Sequence, residues 1–91
     1  MRAVVIDGRD VRSEDDLHDR LAEGLALPDF YGRNLDGLED CLFDLDGSAS
    51  VTLSHAVDLV ASLGNERFGE FDRLFRNVAS AREGFAYTVQ D

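Results

Sequence analysis

Two aspartates, Asp36 and Asp40, follow an asparagine, Asn34, which is a residue type that often caps the start of a helix. In a helix that begins after Asn34, the two carboxylates are four residues apart. They then project from one side, with Cβ atoms about 5 to 6 Å from each other. The spacing therefore predicts a clamp for a basic partner.

The same pair of carboxylates suggests a second chemistry, since two acids can act as general acid and base in glycosidic hydrolysis. That chemistry requires burial to raise the pKa of one carboxyl group, whereas a pair on an open helix face among other acids stays solvated. A hydrolase that uses Asp36 and Asp40 is therefore kept only as an alternative, and we do not expect an enzyme. The sequence after Asp7–Gly8 also lacks the glycines and lysine of a phosphate-binding loop.

The sequence offers few ligands for a metal ion. His18 and His55 are far apart along the chain, and the single cysteine, Cys41, lies among leucines, so a zinc site is disfavoured and no cofactor is expected. We expect His18 at the surface or the edge of the core beside an acid, and His55 at the end of a helix. Cys41 is predicted to pack against the sheet as a small apolar side chain.

The charge of the chain indicates the class of partner. Nineteen acidic residues against nine basic ones give a net charge of −10. This charge repels nucleic acid and anionic lipid and favours a basic protein, although a charge that serves only solubility is the alternative. The apolar runs are too short for a signal peptide or a membrane span, which with the lone cysteine predicts a cytosolic protein. The length predicts one domain over residues 1–91.

Predicted strands and helices alternate along the chain. Apolar β-branched runs predict strands, and stripes of leucine or phenylalanine predict helices. Ser13 is expected to begin the first helix, Pro28 to end it, and Gly84 to end the last helix. The predicted elements are a strand over 3–6, a helix over 14–25, a helix after Asn34 with leucines 35, 38 and 42 inside, a loop over 46–48, a strand over 51–53, helices over 56–63 and 66–82, and a strand over 85–89. Strands joined by helices predict an α/β fold with a parallel sheet covered by helices.

The segment from Leu25 to Leu42, LALPDFYGRNLDGLEDCL, resembles the central segment of the barstar family of intracellular ribonuclease inhibitors. The resemblance continues back to residues 3–8 and, more loosely, forward to Thr88. It implies a three-stranded parallel sheet with helices packed on it, and an acidic helix that plugs the active-site cleft of a ribonuclease. The implied partner is a small, basic, secreted ribonuclease of the guanyl-specific type, bound one to one by a chain that is monomeric when free.

The resemblance also implies roles for individual residues. Asp40 matches the acid that takes the place of a phosphate deepest in the cleft, and Asp36 matches a second acid that pairs with basic cleft residues. Phe30 matches an aromatic residue that packs on the enzyme's catalytic histidine, while Gly32 and Asn34 match positions of close contact. The full set of candidate partner-binding residues is Phe30, Tyr31, Gly32, Asn34, Asp36, Glu39, Asp40, Asp44 and Asn77.

Several positions depart from the barstar pattern. Glu39 stands in place of a tryptophan, Asn77 in place of a contacting glutamate, and residues 43–46 replace a segment of different character. We therefore expect the target ribonuclease to differ at the rim of its cleft. The alternative is a barstar-like fold that serves as an immunity or regulatory module for a different basic protein. Gly37 costs about 1 kcal/mol inside a helix relative to alanine, and a closely approaching partner is one reason to tolerate it.

Overall fold

The computed structural model describes residues 2–29 and 31–91, so Met1 and Phe30 lie outside the described part of the chain. The elements are β1 (Arg2–Asp7), a 3-10 turn (Gly8–Asp10), α1 (Glu14–Leu25), α2 (Leu35–Asp44), β2 (Ala49–Ser54), α3 (Ala56–Leu63), α4 (Asn65–Ala81) and β3 (Phe85–Val89). The predicted alternation of strands and helices is confirmed, and the predicted limits differ from these by no more than two residues. In the described ranges, no helix is both long and apolar enough to cross a lipid bilayer.

The three strands form one parallel sheet with β2 in the middle. In its register, Val4 of β1 lies opposite Val51 of β2, which lies opposite Tyr87 of β3. Each crossover between parallel strands is made by a pair of helices, α1 and α2 before β2 and α3 and α4 before β3. The predicted α/β fold with a three-stranded parallel sheet is therefore confirmed.

The core lies between one face of the sheet and the helices, because alternate residues of a strand point to opposite faces. In β2, Ala49, Val51 and Leu53 are buried, whereas the residues between them are only partly covered. On the other face, Val5 of β1 is 71% exposed. The predicted apolar stripes are confirmed, since one buried cluster contains leucines 17, 21 and 25 of α1 and Phe71, Leu74, Phe75 and Val78 of α4.

The end of α1 at Leu25 agrees with the prediction, whereas the residue that caps α4 does not. Ala26, two residues before Pro28, caps α1: it adopts a left-handed conformation with φ of 52° while its N–H still bonds to carbonyls of the last turn. The residue that ends α4 is Arg82, in an extended conformation. Gly84 lies two residues further on, with φ of 85°, in the turn to β3. Gly84 therefore does not cap α4 as predicted.

Candidate functional site

The helix α2 begins at a side-chain cap. Asn34 has extended backbone angles, and its Oδ1 accepts a hydrogen bond of 2.7 Å from the Gly37 N–H. Its Nδ2 donates to the carbonyl oxygen of Gly32 at 3.3 Å. The predicted cap is confirmed, and the same side chain ties the first turn of α2 to the residues that precede the helix.

The cap also explains a glycine in the first turn of α2. A Cβ atom added at Gly37 would lie 3.1 Å from Oδ1 of Asn34. Because that distance is shorter than side chains normally accept, a larger residue would press on the oxygen that binds the Gly37 N–H. The crowded cap is therefore a reason for glycine at this position that does not depend on a partner.

Asp36, Asp40 and Asp44 form a row along α2, which we call the acidic row. Successive members are four residues apart, so they advance by about 6 Å along the helix axis. All three are exposed, and none makes an ion pair within residues 2–29 and 31–91. In the same ranges, no three His, Cys, Asp or Glu side chains are arranged to hold a metal ion. The predicted projection of Asp36 and Asp40 from one side of a helix is confirmed.

The arginines that form ion pairs do so with acids outside the acidic row. In the described part of the chain, five of the nine form ion pairs with acids outside α2: Arg9 with Asp7, Arg20 with Asp16, Arg33 with Asp19, Arg67 with Glu14 and Glu70, and Arg76 with Asp72. Arg82 donates to the carbonyl oxygens of Leu45 and Gly47, and Arg2 donates to that of Leu25. The acidic row is therefore left without an ion pair in the described ranges, although Arg2 lines the same groove as Asp40 and Asp44.

Glu39 and Asn77 meet where α2 packs on α4. The Nδ2 of Asn77 donates to Oε2 of Glu39 at 3.3 Å, although 38 residues separate the two along the chain. Glu39 is half-buried, and Asn77 is exposed. Two of the departures from the barstar pattern therefore contact each other, and they hold a fourth carboxylate beside the acidic row.

A groove of about 420 Å³ lies beside the acidic row. Asp40 and Asp44 line it from α2, and Tyr31 and Gly32 line it from the segment that precedes α2. Four of the nine candidate residues thus share one concave surface. Phe30, the aromatic candidate, lies outside the described residues.

Cys41 lines the same groove and is 8% exposed. Burial raises the pKa of its thiol, and the neighbouring carboxylates of Asp40 and Asp44 raise it further. The predicted burial is confirmed. Its packing against the sheet stays a prediction, since Cys41 is not among the members of the apolar cluster described above.

His18 is inside the protein and not at its surface or core edge as predicted. Its side chain is fully buried, with a ring centroid 5.2 Å from that of Phe71 and 5.7 Å from that of Tyr31. Its Nδ1 forms a hydrogen bond with the Tyr31 hydroxyl, and its Nε2 lies 3.5 Å from Oε2 of Glu14. The predicted acidic neighbour is present, but Phe71 of α4 covers this side of α1.

The buried position of His18 predicts a dependence of stability on pH. Burial lowers the pKa of His18 from its usual value of 6.5, and the carboxylate of Glu14 opposes that shift only in part. Below a pH of about 6.5, His18 binds a proton in the unfolded chain but not in the folded chain, so the folded state loses stability as the pH falls. Urea unfolding between pH 7 and pH 5 is expected to show this loss, at no more than about 1.4 kcal/mol per pH unit from one group.

Two histidine variants test the assignment. His18→Leu is expected to flatten the pH dependence, because it removes the buried imidazole. His55→Gln removes the other imidazole, which flanks the N-terminus of α3 as predicted but makes no side-chain cap there, and is expected to keep the dependence. Equal slopes in the parent and His18→Leu would contradict the assignment.

Sequence reasoning missed the contacts that connect the site to the rest of the fold. His18 and Tyr31 are 13 residues apart, and Glu14 and its partner Arg67 are 53 residues apart. Spacing rules identify neighbours within one helix or strand, and these pairs belong to different elements. No signal in the sequence marks them.

Comparison with known proteins gives two findings. The family model described as "Barstar (barnase inhibitor)" matches residues 1–91. The chain is also similar to a protein of Bacillus subtilis (strain 168) named "Putative ribonuclease inhibitor YrdF", with 57% identity over 42 residues. This alignment covers 46% of the present chain and 46% of that relative, so the chain matches about half of the relative's length.

Proposed function

The chain belongs to the barstar family, and from this premise we propose that it inhibits a small basic ribonuclease by placing α2 in the enzyme's active-site cleft. The observation that carries the proposal is the acidic row, whose three exposed carboxylates have no ion-pair partner within the described ranges. Charges left without partners on a folded surface favour association with a surface of opposite sign.

The chemistry of RNA cleavage supports carboxylates as the blocking groups. A cleft that binds RNA phosphates presents arginine, lysine and histidine side chains, and the same donors bind carboxylates with charge-assisted hydrogen bonds. The acidic row would occupy phosphate positions with groups that the enzyme cannot cleave. The helix already holds the carboxylates in order, so binding requires little further ordering. We therefore propose an inhibitor that is not itself an enzyme and that needs no cofactor.

The remaining candidate residues surround the acidic row in this proposal. Asn34 and Gly32 bring the backbone close to the enzyme, and Tyr31 forms the groove wall beside them. Phe30 is proposed to pack on the enzyme's catalytic histidine, as the family resemblance implies. Because the groove contains both apolar surface and carboxylates, it suits a side chain with an apolar body and a charged or polar end.

Glu39 and Asn77 are proposed to contact the rim of the cleft. The hydrogen bond from Asn77 restrains the Glu39 carboxylate near the acidic row. A charge at this position favours an additional basic group on the enzyme, and it disfavours enzymes with an acid or an apolar side chain there. We therefore propose that these two residues help to select the ribonuclease.

We further propose the cellular setting that fits this activity. The chain would act in the cytosol as a monomeric single domain over residues 1–91, and it would bind a ribonuclease of the guanyl-specific type that the cell secretes. A complex of one inhibitor and one enzyme follows from one cleft and one acidic helix. This setting protects the producing cell from its own enzyme.

Titration of the purified chain into barnase, followed by cleavage of an RNA substrate, tests the proposal. We expect activity to fall linearly and to reach its minimum at one chain per enzyme. The control is the double variant Asp36→Asn/Asp40→Asn, which keeps the size of both side chains and removes both charges, and which is expected to inhibit poorly. If neither barnase nor a second guanyl-specific ribonuclease is inhibited, the target is wrong, and a regulatory module for another basic protein becomes the better explanation.

A further inference from the structure

A chain of polar contacts connects α4 to the segment that precedes α2. Arg67 of α4 donates from Nε and Nη2 to the two carboxylate oxygens of Glu14 on α1, with a distance of 2.6 Å for Nη2. The Oε2 of Glu14 lies 3.5 Å from Nε2 of His18. Nδ1 of His18 then bonds to the Tyr31 hydroxyl. We call these four side chains the positioning relay.

The neighbours of His18 determine where its proton lies. Burial lowers the pKa of His18, so the ring is neutral near pH 7 and only one ring nitrogen carries a proton. Nε2 makes no hydrogen bond within the described residues, but the Glu14 carboxylate 3.5 Å away can only accept, which favours the proton on this nitrogen. Nδ1 is then an acceptor, and the Tyr31 hydroxyl donates to it. The charge of Glu14 therefore favours the tautomer in which the Tyr31 hydroxyl is the donor.

We propose that the positioning relay holds the partner-binding segment in its binding conformation, with His18 at its centre. Tyr31 is half-buried, lines the groove with Asp40, and donates from its backbone N–H to the Pro28 carbonyl at 2.9 Å. Its neighbour Gly32 is in turn tied to Asn34, the cap of α2. The hydrogen bond between the Tyr31 hydroxyl and His18 is therefore the contact through which α1 holds the groove-lining segment next to α2. This inference rests on the proposed function, because it concerns how the same surface is kept in shape.

The chain contains a matched control for removing this hydroxyl. Its other tyrosine, Tyr87, is also half-buried, and its hydroxyl donates to Oδ1 of Asp72 at 2.8 Å. That bond joins β3 to α4 and does not involve the segment before α2. Tyr31→Phe and Tyr87→Phe therefore each remove one hydroxyl from a half-buried hydrogen bond and keep the ring, but only the first acts on the relay.

Amide hydrogen exchange of the free chain is the first measurement. The N–H groups of Tyr31, Gly37 and Leu38 donate hydrogen bonds at the start of α2 or just before it. Tyr31→Phe is expected to speed exchange of these amides by about 3- to 10-fold, the range for loss of one hydrogen bond. Tyr87→Phe is expected to leave them unchanged. Equal exchange in the two variants would overturn the proposal.

The dissociation rate of the complex with barnase is the second measurement. Tyr31→Phe is expected to dissociate about 3- to 10-fold faster than the parent at a temperature where both are folded, whereas Tyr87→Phe dissociates like the parent. A purely structural hydroxyl would lower the unfolding midpoint without changing this rate, and that result would also overturn the proposal. If the parent does not bind barnase, the proposed target fails, while the exchange measurement still decides whether the relay positions the segment.

Discussion

Asp40→Ala is expected to weaken the complex with barnase by about 30- to 4000-fold, or about 2 to 5 kcal/mol, which is the usual cost of truncating one partner of a buried charge pair at an interface. Asp40 is the middle member of the acidic row and also lines the groove. Its removal would leave basic groups of the cleft desolvated without a counter-charge. The measurement is the dissociation constant from binding kinetics at fixed salt.

The structure separates this loss of binding from a loss of folding. Asp40 is exposed and has no ion-pair partner in the described ranges, so its removal is not expected to lower the unfolding midpoint. Asp58→Ala makes the same change at an exposed position of α3 and is expected to keep the affinity within about twofold, as for surface positions away from an interface. If Asp40→Ala binds as tightly as Asp58→Ala, the site lies elsewhere on the molecule.

Raising the salt from about 0.03 M to 1 M is expected to slow association with barnase by at least about tenfold and up to about a thousandfold. The chain carries a net charge of −10, and the acidic row concentrates part of it on one helix. The Debye length shortens from more than about 10 Å to about 3 Å over this range, so attraction at a distance is lost. The dissociation rate is expected to change much less, because groups in contact exclude the ions that screen them.

Two pairs of variants determine which charges produce this effect. Asp36→Asn/Asp44→Asn removes two charges from the acidic row, and Asp58→Asn/Glu66→Gln removes two exposed charges from α3 and α4. The two double variants have the same net charge, because each replaces two carboxylates by amides. The first pair is expected to reduce the dependence of the association rate on salt more than the second. Equal dependence would show that net charge alone steers the encounter, and would argue against a special role for α2.

The proposed inhibition depends on the fold because the fold holds the acidic row and the groove beside it in fixed positions. The acidic row lies on a helix whose start is capped by Asn34, and the adjoining groove wall is tied to α1 through Tyr31 and His18. A surface that is ordered before binding loses less conformational freedom in the complex than a mobile one. We therefore expect variants that loosen this support to increase dissociation more than they slow association.

Features that depend on neighbours along the chain were predictable from the sequence. The stripe of leucines 17, 21 and 25 predicted the limits of α1, and the Asn34 cap predicted the start of α2. The spacing of Asp36 and Asp40 predicted their shared side, because helical periodicity alone decides it. Residue types at short spacing also carried the family resemblance, which the family model confirms over residues 1–91. The binding roles of the nine candidate residues remain predictions.

Features that depend on which surfaces pack together were decided by the tertiary structure alone. The sequence placed His18 beside an acid but could not show that Phe71 of α4 buries it. It could not show that Asn77 bonds to Glu39, or that the ion-paired arginines of the described ranges pair away from α2. The reason is physical: backbone periodicity sets the direction of a side chain within its own element, whereas its partner across the fold depends on how the helices and the sheet pack. The sequence by itself therefore determined the acidic face of α2, and only the packing decided that its three aspartates form no ion pair in the described ranges.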